Sequence, residues 1–254
     1  MSGRMIVSWF SAGAASAVAT KLLLAQRRNE EVVIARIDIP SEHEDNSRFA
    51  ADCERWFGQP IVTLRSDRYA DTWDVWEKRR YISGPKGALC TTELKRMVRH
   101  DFEMRHQPDA QVFGYTAEER RRVENFRASN PDVRLWVPLI DAGLTKADCK
   151  AMVDRAGIAL PAIYGFGFRN ANCIPCAKAT SPAYWNRVRR HFPDRFQRMA
   201  ELSRRLDVRM VELPGKVRAF LDELDPMLGA TERDPDMECS LMCAIAESKM
   251  ETAQ

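Results

Sequence analysis

The stretch that most constrains this chain runs Ile6-Val-Ser-Trp-Phe-Ser11-Ala-Gly13-Ala-Ala-Ser16-Ala-Val-Ala-Thr-Lys21. Met5 to Phe10 is bulky and partly β-branched. After a break at Ser11-Ala12-Gly13, the apolar residues Ala17, Val18, Leu22 and Ala25 recur at the three-to-four spacing of a helix packed on one side. The pattern predicts a strand, a tight loop and a helix. Small residues in the loop let backbone N–H groups come close to a ligand, and a helix start turns its positive end toward an anion. A phosphate group fits such a loop, which is neither the Walker pattern nor Gly-x-Gly-x-x-Gly. Any α/β protein whose first strand and helix are joined by small residues would open in the same way.

At 254 residues the chain can bury a large core, as one α/β domain or as one domain with an appendage. No uninterrupted apolar run is long enough to span a bilayer, and Met1-Ser-Gly-Arg4 followed by a strand is not a signal peptide, so a cytoplasmic protein is expected. The formal charge of +3 does not by itself argue for nucleic acid. Arginines do cluster at 120–122, at 187, 189 and 190, and at 204–205, where they suit either solvated helix faces or a polyanion surface. Seven unevenly placed cysteines in a chain without an export signal argue for metal or redox chemistry over a disulfide framework.

In chain order, Glu31 to Ile37 reads as a second strand ending at Asp38, a position from which a carboxylate can meet a ribose or base, or satisfy nearby backbone. Ser41 to Asn46 is a polar loop. Ser47 to Phe57 is an amphipathic helix with Cys53 in the core, stopped by Gly58, and Pro60 to Leu64 is a third strand. Trp73, Trp76 and Tyr81 form a stripe read as helix core, although aromatics beside Lys78-Arg79-Arg80 could also stack on bases. Gly84 to Gly87 is a loop, and Cys90 then sits at a helix start with Lys86, Lys95 and Arg96 near it in sequence. Such surroundings favour the thiolate, which is both nucleophile and metal ligand; a buried inert thiol is the alternative.

Gln111 to Gly114 is a fourth strand. Gly114, Glu118 and Arg121 at the following helix start suit the triphosphate or ribose side of a nucleotide pocket, or a solvated helix with Glu-to-Arg pairs. Arg134 to Leu139 is a fifth strand. Thr145 opens a helix to Ala156 that holds Cys149 as a structural thiol. The second informative stretch is Tyr164-Gly-Phe-Gly-Phe-Arg-Asn-Ala-Asn-Cys173-Ile-Pro-Cys176, a Cys-x-x-Cys in a Gly- and Asn-rich loop that can chelate a metal or act as a redox pair. Cys239 and Cys243 add a second pair, giving four thiolates, enough for an iron–sulfur cluster or a zinc site. Between the pairs, helices are expected from Pro182 to Arg190, from Pro193 to Leu206, and from Gly215 onward.

These motifs together resemble the phosphoadenosine phosphosulfate (PAPS) reductase family of the adenine nucleotide α-hydrolase superfamily, most closely its divergent bacterial and phage branch. The carriers are Ser11-Ala-Gly-Ala-Ala-Ser16, Gly87-Ala-Leu-Cys-Thr-Thr-Glu-Leu-Lys95, and Tyr164-Gly-Phe-Gly-Phe168 followed by Asn172-Cys-Ile-Pro-Cys176. The resemblance implies an α/β fold: a doubly wound, mostly parallel five-stranded sheet with helices on both faces. It implies a nucleotide-binding domain over residues 1–160 and a helical C-terminal region over 161–254 that carries the cysteine site. It implies adenine nucleotide binding (ATP, PAPS or adenylyl sulfate) by Ser11, Ala12, Gly13, Ala14 and Ser16, with Asp38, Gly114, Glu118 and Arg121. The usual loop is Ser-Gly-Gly-x-Asp-Ser; Ala12 and Ala15 replace its first glycine and its aspartate, a change that nucleotide binding survives more easily than magnesium-dependent splitting of ATP.

For the cysteines the resemblance favours a [4Fe-4S] cluster over zinc and leaves two assignments. Either Cys173, Cys176, Cys239 and Cys243 ligate the cluster and Cys90 reacts, or Cys90 and Cys243 join Cys173 and Cys176 and Cys239 attacks sulfur. Lys95 is expected beside the reacting group. Three functions follow: reduction of PAPS or adenylyl sulfate with thioredoxin or glutathione as thiol reductant, nucleotide-dependent sulfur transfer to tRNA or DNA, or a non-catalytic nucleotide-binding module with a structural metal. A homodimer is compatible with each.

Overall fold

The computed structural model describes residues 4–27, 30–84 and 87–229. The first strand, β1 (Met5–Trp9), continues into the helix α1 (Ala14–Gln26), followed by β2 (Glu31–Ile37), α2 (Asp45–Phe57) and β3 (Ile61–Leu64). Gly58 ends α2 in the left-handed region at φ 75°, the conformation a glycine adopts without strain. Next come α3 (Thr72–Arg79), the short α4 (Leu89–Thr91), a π-helical turn at Thr92–Arg96, and α5 (Met97–His106). The second half of the sheet holds β4 (Ala110–Val112), α6 (Arg120–Ser129), β5 (Leu135–Trp136), α7 (Pro138–Asp141) and α8 (Lys146–Arg155).

All five strands pair in parallel in the order β3-β2-β1-β4-β5, so the strand order reverses between β1 and β4. Side chains on β1 alternate between two cores, which is why both of its faces carry apolar residues, the buried Ser8 being satisfied by Thr20 Oγ1 at 2.8 Å. Ile6 and Phe10 join Leu23, Phe49, Cys53, Leu139 and Val153 on the face covered by α1, α2 and α8. Val7 and Trp9 join Phe102, Phe113, Val123 and Phe126 on the face covered by α5 and α6.

A third core gathers Trp73, Trp76, Ile82 and Leu94 with Ile163, Ile174, Trp185, Val188 and Met199, and so joins the middle of the chain to α9 (Pro182–His191) and α10 (Pro193–Arg205). The tryptophan stripe of α3 is therefore core, with Trp76 fully buried.

Two expectations need correction. The fifth strand is only two residues long, because Pro138 takes the first position of α7, where its missing N–H costs nothing. The helix expected from Gly215 is instead a hairpin, β6 (Val211–Leu213) paired antiparallel with β7 (Val217–Ala219). Gly215 at φ 78° and Lys216 at φ 61° both adopt left-handed backbone, which turns the chain back on itself. No helix among the described residues is long and apolar enough to cross a membrane.

Candidate functional site: a crevice and a sulfur-lined cavity joined at Lys95

A crevice of about 210 Å³ opens at the carboxyl ends of β1, β2 and β4. This is the switch point of a doubly wound sheet, where open α/β folds bind ligands. Ser11, Gly13, Ala15 and Ser16 line one side, and Gly114, Tyr164 and Asn170 to Asn172 lie around them.

The loop is held by its own polar groups. Ser16 Oγ donates to Gly13 O at 2.9 Å and accepts from Ser11 N at 3.1 Å. Ala12 takes a left-handed backbone at φ 54° and is fully buried, so its part is to shape the turn. Gly13 caps α1 in extended backbone with no side-chain cap, and the first turn of α1 carries no carboxylate. The positive end of α1 thus faces the crevice without an acidic neighbour in its own first turn. Ala14 N lies 3.4 Å from the phenol oxygen of Tyr164, whose acidity burial weakens, pushing its pKa up to about 12.

Gly114 has a packing reason to be glycine. A Cβ there would stand 2.6 Å from Ser16 N and 2.7 Å from Ser16 Cα, both backbone atoms of α1. The segment just after β4 is pressed against the start of α1.

Of the remaining sequence candidates, Asp38, Glu118 and Arg121 do not line the crevice. Asp38 accepts from Arg36 at 2.9 Å and from Arg65 Nε at 2.9 Å. Glu118 accepts from Lys146 N at 3.2 Å, and Arg121 is exposed. The neighbours Glu119 and Arg122 line the crevice instead and form an ion pair with each other. The 3-10 turn at Ala117–Glu119 sets this register, advancing the chain at three residues per turn before α6 begins. Glu42, in the polar loop after β2, is a lining residue that sequence reading passed over. Four cationic side chains, Lys95, Arg99, Arg122 and Lys146, share the crevice with two carboxylates, Glu42 and Glu119, which leaves it net positive.

A second, smaller cavity is lined by Cys90, Cys173 and Cys176 together with Thr72, Trp76, Thr91 and Lys178. Cys90 comes from α4, while the other two come from the loop before α9. That loop is tied to the turn after β2: Ile174 N donates to Ser41 O at 2.8 Å, Asn46 Nδ2 to Ala171 O at 3.4 Å, and Arg195 Nη1 to Ser41 O and Ile174 O, each at 2.9 Å. The Tyr184 hydroxyl accepts from Cys176 N at 2.7 Å and fixes the second cysteine. The three thiols are 6–8% exposed.

Lys95 lines both cavities. Its Nζ lies 3.5 Å from Glu42 Oε1, and Asn46 Nδ2 donates to Glu42 Oε2 at 3.1 Å. Burial pushes the Glu42 carboxyl up, against the opposing pull of Lys95 and Asn46. The π-helical turn that carries Lys95 follows α4, the helix of Cys90, directly, so one short segment supplies a thiol to one cavity and an ammonium group to both.

Among the described residues no three His, Cys, Asp or Glu side chains stand in a metal-binding arrangement. The donor chemistry fits a soft metal nonetheless, since three thiols from two segments border one space. Cys239 and Cys243, as well as Lys86, lie outside the described residues. Cys53 and Cys149 are buried in the sheet core, which pushes both thiols up to about 12.

Much of the arginine content is occupied within the chain. Arg204 pairs with Asp222 and Glu223, Arg205 with Glu77, and Arg189 donates to the carbonyls of Leu221 and Leu224.

No protein-family model matches the sequence, and no curated protein matches it. Among solved structures, the chain is similar to phosphoadenylyl-sulfate (PAPS) reductase from Candida auris in its phosphate complex, at 10% identity over 66% of this chain and 80% of that one, with a TM-score of 0.49. It is similar also to the U34-tRNA thiolase NcsA from Methanococcus maripaludis with its [4Fe-4S] cluster, at 12% identity over 89% of this chain and 79% of that one, again with a TM-score of 0.49. At these values the likeness is confined to the general course of the chain.

Proposed function

We propose that the protein binds an adenine nucleotide in the crevice and performs thiol-based sulfur chemistry on it from the adjoining cavity, as a reductase of PAPS or adenylyl sulfate. The observation that carries this reading is the position of Lys95, which borders both the phosphate-loop crevice and the cavity lined by Cys90, Cys173 and Cys176.

The loop and the end of α1 would hold the 5′ phosphate, with Lys95 over the bridging oxygen of the phosphosulfate. Attack by a cysteine thiolate on the sulfate sulfur breaks the bond to that oxygen and releases the nucleotide, leaving a sulfonated cysteine. A thiol of thioredoxin or glutathione then attacks the cysteine sulfur. Sulfite leaves with both electrons of the broken sulfur–sulfur bond, a disulfide forms, and a second thiol restores the enzyme. Lys95 favours the charge that develops on the leaving oxygen. Ala15 leaves the loop without a carboxylate, and this route needs no splitting of ATP.

Cys173 and Cys176 would hold a [4Fe-4S] cluster, completed by Cys243 together with either Cys239 or Cys90, the one left over being the attacking thiol; bound there, the cluster would supply local positive charge and redox capacity. The test is sulfite release from radiolabelled PAPS and adenylyl sulfate by anaerobically purified protein with a dithiol reductant. Sulfite from either supports the reading. Thionucleosides in tRNA or DNA from expressing cells, without sulfite release, would assign sulfur transfer instead.

A further inference from the structure

One wall of the sulfur-lined cavity plays no part in the reaction described above. Trp76, on α3, is fully buried and borders that cavity together with Cys90, Cys173 and Cys176. Its indole Nε1 is buried and has no hydrogen-bond partner among the described residues. Trp9 and Trp185, which are buried as well, are satisfied: Trp9 Nε1 donates to Gln111 Oε1 at 2.9 Å, and Trp185 Nε1 donates to Ala179 O at 3.0 Å. Trp76 is the exception among them. It does not line the nucleotide crevice, so a nucleotide bound there is not the missing acceptor.

The ring is held in place by its surroundings. Trp73 stands edge-on to it, with ring centres 5.0 Å apart and planes at 82°, and Ile82, Leu94 and Ile163 belong to the same buried core. A buried N–H left without an acceptor forfeits its hydration, and a tryptophan N–H enclosed in a fold ordinarily finds a partner. What the cavity offers is sulfur. A neutral thiol is a weak acceptor. A thiolate bound to a metal carries negative charge, and a hydrogen bond to a charged acceptor is about twice as strong as one between neutral groups. The indole is therefore better satisfied when the cysteines hold a metal than when they stand as thiols.

We infer that Trp76 is a positioning residue of the cysteine site, whose indole N–H donates to a metal-bound sulfur and tightens the hold on the metal. Hydrogen bonds of this kind, made to a ligand from outside the coordination sphere, fix the ligand's orientation and are worth about 10- to 100-fold in metal affinity. The inference rests on the reading of the cavity's cysteines as soft-metal ligands made above.

The experiment is nuclear magnetic resonance of the full chain, prepared metal-free under anaerobic conditions with its tryptophans labelled with nitrogen-15, and titrated with a spin-active isotope of cadmium as the soft-metal probe. The six tryptophans give six indole N–H signals. On cadmium binding one of them should move downfield and acquire a coupling to the cadmium nucleus, which passes only through an N–H···S–Cd contact. The signal should be missing from Trp76→Phe, whose cadmium affinity, read by competition with a chelator, should fall by about 10- to 100-fold. Disrupted packing alone would weaken binding without producing a coupled indole in the wild type. Cadmium bound with no coupled indole, as when an ordered water takes the proton, would overturn the inference, and so would equal affinity in Trp76→Phe. If the wild type binds no cadmium, the soft-metal reading fails and the inference falls with it, an outcome distinct from binding without coupling. Should Trp76→Phe not fold, the wild-type coupling decides, because Trp76 is the one tryptophan that lines the cavity.

Discussion

Replacing Gly114 by alanine adds one methyl group at the tightest backbone contact of the crevice. The new Cβ would meet Ser16 N at 2.6 Å, Ser16 Cα at 2.7 Å and Ala15 C at 2.9 Å, all closer than a Cβ approaches other atoms in folded proteins. None of the three belongs to a flexible side chain, so relief requires β4 or the start of α1 to move by several tenths of an ångström. Overpacking of this kind costs about 1–3 kcal/mol, and contact with backbone on three sides puts Gly114→Ala near the upper end. For a chain of this length each kcal/mol shifts the midpoint of melting by about 2–4 °C, so a drop of about 5–10 °C is expected. The shift should be matched by weaker nucleotide binding if the proposed function holds, because the atoms displaced are those of the loop proposed to hold the phosphate. Differential scanning calorimetry with and without adenosine 5′-monophosphate reads both effects. A variant that melts within about 1 °C of wild type, with undiminished stabilisation by the nucleotide, would refute the claim that Gly114 is fixed by the approach of α1.

Three further outcomes are expected. Lys95→Met leaves Glu42 buried without its cation; removing one partner of a buried pair costs up to about 3–5 kcal/mol, and the 3.5 Å separation puts this pair below that range. The double variant Lys95→Met with Glu42→Gln should recover that stability without recovering sulfite release, which separates the structural role of Lys95 from its chemical one. Cys53 and Cys149, with thiols pushed up to about 12 by burial, should resist iodoacetamide at pH 8 in the native protein and react only after denaturation, as peptide mass spectrometry would record. Asp45 accepts from Arg48 and from Ala162 N at 2.7 Å, which holds its carboxyl below the ordinary value. Its contribution to stability is therefore complete above the unfolded-state value of about 4 and is lost as pH falls through the lower folded value. Asp45→Asn should lower the urea midpoint at pH 7 and flatten the acid limb of the stability curve; an unchanged acid limb would count against it.

The parts of the molecule legible in the sequence are those whose signals are local. The apolar run of Met5 to Phe10, the small residues of Ser11 to Ser16 and the stop at Gly58 each act through the backbone of their own segment. The placement of Trp73 and Trp76 in the core follows from helical spacing alone. What was not legible depends on contacts between distant segments or on the phase of a short irregular turn. Glu119 and Arg122 replace Glu118 and Arg121 at the crevice because of a single 3-10 turn. Gly215 reads in sequence as a helix start, and only the pairing of Val211 to Leu213 with Val217 to Ala219 makes it a hairpin turn. Glu42 gave no signal within its polar loop; its meaning comes from Lys95, 53 residues away. Arg99 looks like an ordinary helix-surface arginine, and only its burial against Phe126 singles it out.

The central claim is that one crevice holds a nucleotide within reach of the sulfur-lined cavity through Lys95. A crystal structure of the anaerobically prepared protein with adenosine 5′-monophosphate tests it most directly. The account predicts the phosphate against the backbone of Ser11 to Ser16, with Lys95 Nζ between it and the sulfurs of Cys90, Cys173 and Cys176. A nucleotide bound elsewhere, or bound in the crevice with Lys95 turned away from both phosphate and sulfur, would contradict it.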